Sequence, residues 1–279
     1  MVRARNPRVI YGRMTGWGQT GPLADRAGHD INYIALAGPL AHIGRRGQPP
    51  TPPLNLLGDF GGGGMLLAFG ITCALQERSV SGLGQTIDAA MVDGAAILSA
   101  AMAPGYALGY FHEERGTNWV DSGAPYYEVY ECADGEWLSV GAIEDKFYAN
   151  LLAGLGLDPA TLPGQNDEAA WPTMKEQFAA VFRTRTRAEW LDVFAHPDNC
   201  VTPVLGFGDV LADDHIRARG TYVELDGIPQ PAPAPRFDRT PASLDRPPVT
   251  AGQHTDEVLA EAGLSADDIG ALRAAGAVA

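Results

Sequence analysis

The order of strand-like and helix-like segments in the first 105 residues most constrains the fold. A β-branched and aromatic run, RVIYGRMTGWG (8–18), ends in a turn, and a second strand-like run opens GQTIDAAMVDGAAILSAAM (84–102). Between them, GGMLLAFGITCALQERS (63–79) has the pattern of an apolar helix. Alternating strands and helices favour an α/β architecture. Because a strand buried in such a sheet needs neighbours on both sides, we expect that this chain lacks the front of a larger fold.

The pattern changes after about residue 105. Two alternating β-rich runs flank Asp134-Gly135 in APYYEVYECADGEWLSVGAI (124–143), which predicts an antiparallel hairpin. Three helical patterns follow, at 144–156, 167–182 and 186–195, the last with Thr186 as its candidate N-cap. A Pro-rich extended stretch (229–248) and a last helical region (256–276) complete the chain.

These boundaries predict three parts. They are a large α/β domain that resembles part of a Rossmann fold (1–105), a smaller α+β domain with the hairpin (106–221), and a return segment that packs on the large domain (222–279).

Composition excludes several classes of function. The net charge of −14 disfavours nucleic acid, because binding a phosphate backbone requires a basic surface. A CoA or nucleotide ligand is still possible through local donors.

We count no apolar run near the ~18 residues of a membrane span, and expect residues 89–110 to form a buried helix. Three widely spaced cysteines and the absence of a signal peptide predict a cytoplasmic protein with reduced, mostly buried thiols.

Asp59 stands between an apolar run and four glycines, in LNLLGDFGGGG (54–64). It could simply be the N-cap of a helix beginning near Gly62. It could also be a catalytic base, because a helix N-terminus stabilises the ionised carboxylate by about 0.3–1 kcal/mol. The segment lacks the Lys-Ser/Thr of a P-loop and the spacing of a dinucleotide fingerprint. Its glycines, Gly61 and Gly62 among them, would let a substrate approach the backbone closely.

Two further side chains are candidates for acid/base chemistry. His29 lies in the sequence AGHD, before a helical segment, and either has a structural role or is the best catalytic histidine of the six. Glu144 follows the second hairpin strand and opens a helix, where an acid is also favoured by the helix dipole alone. Nothing in composition or periodicity links these two residues.

Several motifs together resemble the CoA-transferase family III (CaiB/BaiF) proteins, and within that family the racemases of 2-methylacyl-CoA thioesters. The motifs keep the family's order along nearly the whole chain: YGRMTGWGQTGP, AGHDINYIALAG, LGDFGGGG, GQTIDAAMVDGA and GQHTDEVLAEAGLSADDI. The resemblance implies a large α/β domain and a small α+β domain in an interlocked homodimer. The active site would lie between the large domain of one subunit and the small domain of the other.

The resemblance also implies roles for single residues. His29 and Asp59 would be the two catalytic acid/bases of a racemase, and Glu144 would pair with that histidine across the dimer. Asp30 would offer its backbone N–H to the thioester oxygen. Two bases flanking a flat enolate suffice for racemisation, because a thioester acidifies its α-proton, so neither a metal nor an organic cofactor is expected.

Two alternatives stay open. In the transferases of the family the acid at the position of Asp59 is a nucleophile, although that mechanism needs no histidine at position 29. Family members also carry a segment upstream of RNPRVIYGRMTGWGQTGP that helps to hold CoA, so this chain could be a shortened, non-catalytic relative.

Overall fold

The computed structural model describes residues 2–195 and 198–278. Internal contacts divide the chain into two compact units, Met1–Val204 and Leu205–Ala279. Helices alternate with small sheets along the chain, which confirms the predicted mixed α/β class. The Rossmann-like detail and the domain boundaries at residues 105 and 221 stay predictions.

The first unit begins with a parallel pair of strands joined by helices. Strand β1 (Tyr11–Thr15) pairs with β2 (Thr86–Ala90), with Tyr11 opposite Thr86. The helices of this region are α1 (Val2–Arg5), α2 (Asp30–Ala37), α3 (Pro39–His42), a π-helical segment (Leu56–Met65), α4 (Leu66–Ser81), α5 (Met91–Leu98) and α6 (Met102–Leu108). Gly38 and Pro39 separate α2 from α3, as the sequence predicts.

Burial in this region is lower than the sequence predicts. β1 is exposed at four of its five positions because, within the described residues, it pairs with β2 alone. The stretch 89–110 is not one buried helix, since α5 and α6 meet at a bend of 53°. Only small residues of these helices are buried (Gly94, Ala95 and Gly105), and large ones such as Leu108 are exposed.

The continuous helix Leu56–Ser81 is long and apolar enough to span a membrane. The bent pair of α5 and α6, taken as one segment, is also long and apolar enough. The prediction that no segment approaches this length is therefore wrong. The glycines break up the run of strongly apolar side chains, so the sequence shows no long apolar run. Because glycine carries no charge, the mean hydropathy of the helix is nevertheless high. Core helices of soluble proteins can be equally long and apolar, so the length and composition of this helix alone do not place the chain in a membrane.

The predicted hairpin forms the second part of this unit. Strand β3 (Tyr127–Glu131) pairs antiparallel with β4 (Trp137–Gly141), and β5 (Val201–Pro203) pairs with the other edge of β4. Gly135 has a φ of +79°, which the turn requires and glycine adopts freely. The helices that follow are α7 (Asp145–Leu155), a short 3₁₀ turn (Pro159–Thr161), α8 (Trp171–Phe182) and α9 (Arg187–Val193). Thr186 caps α9, as predicted, and accepts the Glu189 N–H.

One face of this sheet and the helices build the main hydrophobic core. Leu138 of β4, Leu151 of α7 and Phe178 of α8 are completely buried. Each such side chain contributes roughly 1.5–3 kcal/mol by leaving water. This packing fixes the start of α7, where Glu144 lies.

The second unit contains the remaining elements: α10 (Phe207–Val210), α11 (Asp214–Arg219), β6 (Tyr222–Leu225), β7 (Ile228–Pro231), α12 (Thr255–Glu261) and α13 (Ala266–Ala274). β6 and β7 form a hairpin. The Pro-rich stretch is irregular after β7, in agreement with the sequence. The last helical region is two helices rather than one, because Ser265 interrupts it and caps α13.

All three cysteines are free thiols. Cys132 is buried, and this burial raises the pKa of its thiol to about 11. Cys73 and Cys200 are exposed, so the prediction of mostly buried thiols is wrong.

Candidate active site

Asp59 lies in the first turn of the π-helical segment and is half-buried. Its Oδ2 accepts a hydrogen bond from Nδ2 of Asn55 at 3.2 Å. The proposal that Asp59 caps a helix beginning near Gly62 is wrong, since the helix begins at Leu56 and continues directly into α4. π-Helical turns are rare and are frequently found at functional sites.

The glycines after Asp59 allow close packing between helices. A Cβ atom on Gly62 would lie 2.8 Å from the backbone of Gly94 and Ala95 in α5, and one on Gly61 would lie 3.0 Å from the Leu98 side chain. The close approach that Gly62 permits here is therefore to α5. Contacts of Gly61 and Gly62 with a substrate stay predictions.

His29 is the N-cap residue of α2 and is exposed. Its backbone N–H donates to the side-chain oxygen of Asn32 at 3.0 Å, which fixes the start of the helix. The preceding Gly28 is packed against two rings, since a Cβ there would lie 2.8 Å from Tyr33 and 3.0 Å from Trp17. The Tyr33 hydroxyl donates to the Gly28 carbonyl oxygen. The backbone that presents the imidazole is therefore held from both sides.

Asp30 connects the His29 loop to the Asp59 segment. Its side chain is buried, and Oδ2 accepts the backbone N–H groups of Gly58 at 2.6 Å and Asp59 at 2.8 Å. The pKa of Tyr33 is raised, first by burial and second by the negative charge of Asp59. Asp59 therefore lies close enough to Tyr33, one turn into α2, to influence its ionisation.

Glu144 stands apart from these residues. It is the exposed N-cap residue of α7, and its carboxylate is an electrostatic neighbour of Cys200. Across residues 2–195 and 198–278, no hydrogen bond or ion pair joins Glu144 to His29 or Asp59. The structure of one chain thus brings His29, Asp30 and Asp59 together and leaves Glu144 outside the cluster.

Sequence reasoning missed two features of this region. One is Tyr33, whose hydroxyl donates to the Gly28 carbonyl oxygen beside His29 and whose pKa is raised in part by Asp59. Its position about one helical turn after Asp30 is the only signal of this role in the sequence. The other is a cavity of about 650 Å³ over the open face of the three-stranded sheet. The residues that line this cavity include Val129, Ser139 and Cys200. Cys200 is also the residue whose thiol the Glu144 carboxylate influences. In the part of the chain that is described, no cluster of three or more His, Cys, Asp or Glu side chains is placed to hold a metal ion.

Comparison with known proteins identifies the class to which this arrangement belongs. The sequence model of CoA-transferase family III matches residues 1–255. The chain therefore belongs to CoA-transferase family III.

Two curated relatives are similar to this chain over nearly its full length. The α-methylacyl-CoA racemase of Mus musculus is 51% identical over 95% of this chain and 70% of its own. The α-methylacyl-CoA racemase of Homo sapiens is 47% identical over 96% of this chain and 71% of its own.

Among solved structures, a CaiB/BaiF family protein from Brucella suis has the same fold. It superposes with a TM-score of 0.77 at 25% identity, covering 93% of this chain and 69% of that one. The resemblance noted in the sequence motifs is thereby confirmed.

Proposed function

We propose that this chain is a racemase of 2-methylacyl-CoA thioesters that moves the α-proton through an enolate, with His29 and Asp59 as its two acid/bases. The observation that supports this most is that the backbone segments carrying these two residues are both tied to α2, that of His29 through Asn32 and that of Asp59 through the buried Asp30 carboxylate. The mouse and human racemases, identical to this chain at about half of the aligned positions, support the same reaction.

The chemistry follows from having one base on each face of the α-carbon. The deprotonated base takes the α-proton, the C–H electron pair delocalises onto the thioester oxygen, and the other, protonated group then donates a proton to the opposite face. An imidazole titrates near neutral pH and a carboxylate is ionised there, so the two can exchange roles when the reaction runs in reverse. The bonds balance without an oxidant or reductant, and we propose that no metal or organic cofactor takes part.

The enolate oxygen needs a hydrogen-bond donor. As the first residue of α2, Asp30 has a backbone N–H that no intrahelical bond uses. The positive end of the α2 dipole favours negative charge at this place. We propose that this N–H binds the thioester oxygen and that the backbone of Gly61 and Gly62 lies against the acyl-CoA.

Glu144 enters the proposal through a second copy of the chain. Its exposed position, without a contact to His29 in the described chain, is compatible with pairing to His29 across an interlocked homodimer. The carboxylate would hold the imidazole in one orientation and stabilise its protonated form.

The test is exchange of the α-proton with solvent. Purified protein incubated with one enantiomer of a 2-methylacyl-CoA in deuterium oxide is expected to place deuterium at the α-carbon while it forms the other enantiomer. H29A and D59N should both lose formation of the other enantiomer. Asp25 is an exposed carboxylate outside the cluster, so D25N should keep it. Wild-type protein that binds the thioester but exchanges no α-proton would exclude the racemase.

Family membership favours one second candidate, a CoA-transferase in which Asp59 is the nucleophile. That enzyme would acylate Asp59 in a hydroxylamine-sensitive form and exchange no α-proton. A non-catalytic relative would show neither result and, by calorimetry, no micromolar binding of CoA.

A further inference from the structure

Asp30 is a buried carboxylate whose side chain has no role in the chemistry described above. It is the first residue of α2, directly follows His29, and is only 4% exposed. A carboxylate this deeply buried is unfavourable unless donors compensate it. The donors that it finds belong to another helix.

Those donors are the backbone N–H groups of Gly58 and Asp59, at 2.6 and 2.8 Å from Oδ2. Both lie in the first turn of the π-helical segment, where N–H groups have no partner within the helix. The segment's own N-cap residue, Asn55, forms no capping bond. The side chain of Asp30 therefore supplies, from α2, the cap that the Asp59 segment lacks.

Space at Gly58 matches this arrangement. A Cβ atom on Gly58 would lie 2.8 Å from Oδ2 and 3.0 Å from Cγ of Asp30, so any side chain at position 58 would displace the carboxylate. The absence of a side chain at Gly58 thus leaves room for the Asp30 carboxylate, although the two residues are 28 positions apart in the sequence.

We propose that the Asp30 carboxylate is a positioning residue that sets the place of Asp59 relative to His29, an inference that rests on the proposed racemase function. The His29 backbone is tied to α2 through Asn32, and the Asp59 backbone is tied to the same helix through Asp30. Proton transfer on two opposite faces of one carbon depends on the separation of the two bases. A displacement of 1 Å in such a site costs roughly 100-fold in rate.

The second carboxylate oxygen explains which substitution should be tolerated. Oδ1 is buried and has no hydrogen-bond partner within the described residues. Asparagine has the same shape, so its oxygen can accept both N–H groups while its amide takes the place of Oδ1. Alanine removes the acceptor altogether.

The experiment compares D30A and D30N in the full-length chain, with D88A as a matched control. Asp88 also accepts a backbone N–H, that of Gln19 at 3.1 Å, but it is exposed and lies on β2. For 2-methylacyl-CoA racemisation, we expect D30A to lose about 100-fold in kcat with KM within about threefold, and D30N and D88A to stay within about fivefold of wild type. Amide hydrogen exchange at Gly58 and Asp59 should accelerate in D30A only.

Each outcome decides between the possibilities. Racemisation by D30A at the wild-type rate would overturn the positioning role, and so would a D30N variant that folds normally yet loses as much as D30A. If D30A fails to fold, G58A displaces the same carboxylate and should reproduce the loss in kcat; a fully active G58A would overturn the inference. A wild-type protein without α-proton exchange would instead reject the proposed function, whatever the variants do.

Discussion

Gly62 and Gly94 bring the π-helical segment and α5 into backbone contact. A Cβ atom on Gly94 would lie 2.0 Å from the Gly62 carbonyl oxygen, and one on Gly62 would lie 2.8 Å from the carbonyl carbon of Gly94. No flexible side chain lies between the two helices at this point that could move aside. The segment that carries Asp59 is therefore seated on α5 through two residues that lack side chains.

The first prediction concerns this contact. G62A should lower the free energy of unfolding by about 1–3 kcal/mol, because the added methyl forces the two helices apart. Gly64 offers the control, since its Cβ would find only the Asp59 carbonyl oxygen at 3.7 Å. G64A should be neutral or more stable by up to about 1 kcal/mol, from helix propensity. Urea unfolding measures both, and equal stability of the two variants would contradict the contact.

The second prediction concerns a buried acid in the hairpin. Glu128 of β3 is buried and pairs with Lys175 at 2.7 Å and with the half-exposed Arg45 at 2.9 Å. Lys175 also donates to the Ser122 carbonyl oxygen at 2.6 Å. K175M removes the ammonium group that pairs with Glu128 and donates to the Ser122 carbonyl oxygen. The variant should therefore lower the free energy of unfolding by about 1.5–3 kcal/mol.

A matched variant separates this effect from the general loss of a surface charge. Arg183 pairs with Glu131 of the same strand at 3.6 Å, and both side chains are exposed. R183M should therefore cost less than about 1 kcal/mol. Urea denaturation of both variants gives the comparison, and a K175M variant as stable as R183M would show that the buried pair contributes little.

Local signals allowed much of the fold to be predicted. Asp134-Gly135 between alternating runs predicted the hairpin, and Thr186 as a candidate N-cap predicted the start of α9. The position of Glu144 at the start of α7 is also a local property, set by the end of β4 and the helical pattern that follows. In each case the residues that determine the structure are neighbours in sequence.

What the sequence could not predict depends on contacts between distant residues. The bonds from Gly58 and Asp59 to Asp30 span 28 and 29 positions, and no local pattern announces them. The packing of Gly62 on α5 is a second contact of this kind, because 32 positions separate Gly62 from Gly94. Helix periodicity places the apolar helix but not its π-helical start, since that start depends on the Asp30 side chain and the packing of α5.

The third prediction tests the electrostatic effect of Glu144 on Cys200 without any substrate. The pKa of the Cys200 thiol is raised, first by partial desolvation and next by the Glu144 carboxylate. E144Q removes this negative charge, so the pKa of Cys200 should fall and more thiolate should be present at about pH 8. Alkylation of Cys200 by iodoacetamide, followed by mass spectrometry, should become faster. Cys132 is buried, with a pKa of about 11, and provides an unreactive reference in the same sample. An unchanged alkylation rate would mean that the Glu144 carboxylate does not influence the Cys200 thiol.

The fourth prediction tests whether Glu144 of one copy serves His29 of another. H29A and E144Q should each be inactive as homodimers. When the two variants are co-expressed with different tags, a mixed dimer places both substitutions in one site and leaves the other site intact. About half of the dimers should be mixed, so the unfractionated mixture should recover about a quarter of the wild-type rate of racemisation.

The same measurement on purified mixed dimers gives the sharper result. Selection through both tags should raise the activity to about half of wild type, because each mixed dimer has one complete site. A mixture of H29A and D59N is the control, since both residues lie in the same cluster around Asp30 and each site of the mixed dimer then lacks one of them. Recovery in the first mixture and not in the second assigns Glu144 to the partner subunit. If neither mixture recovers while wild type is active, His29 and Glu144 act within one chain or Glu144 has another role.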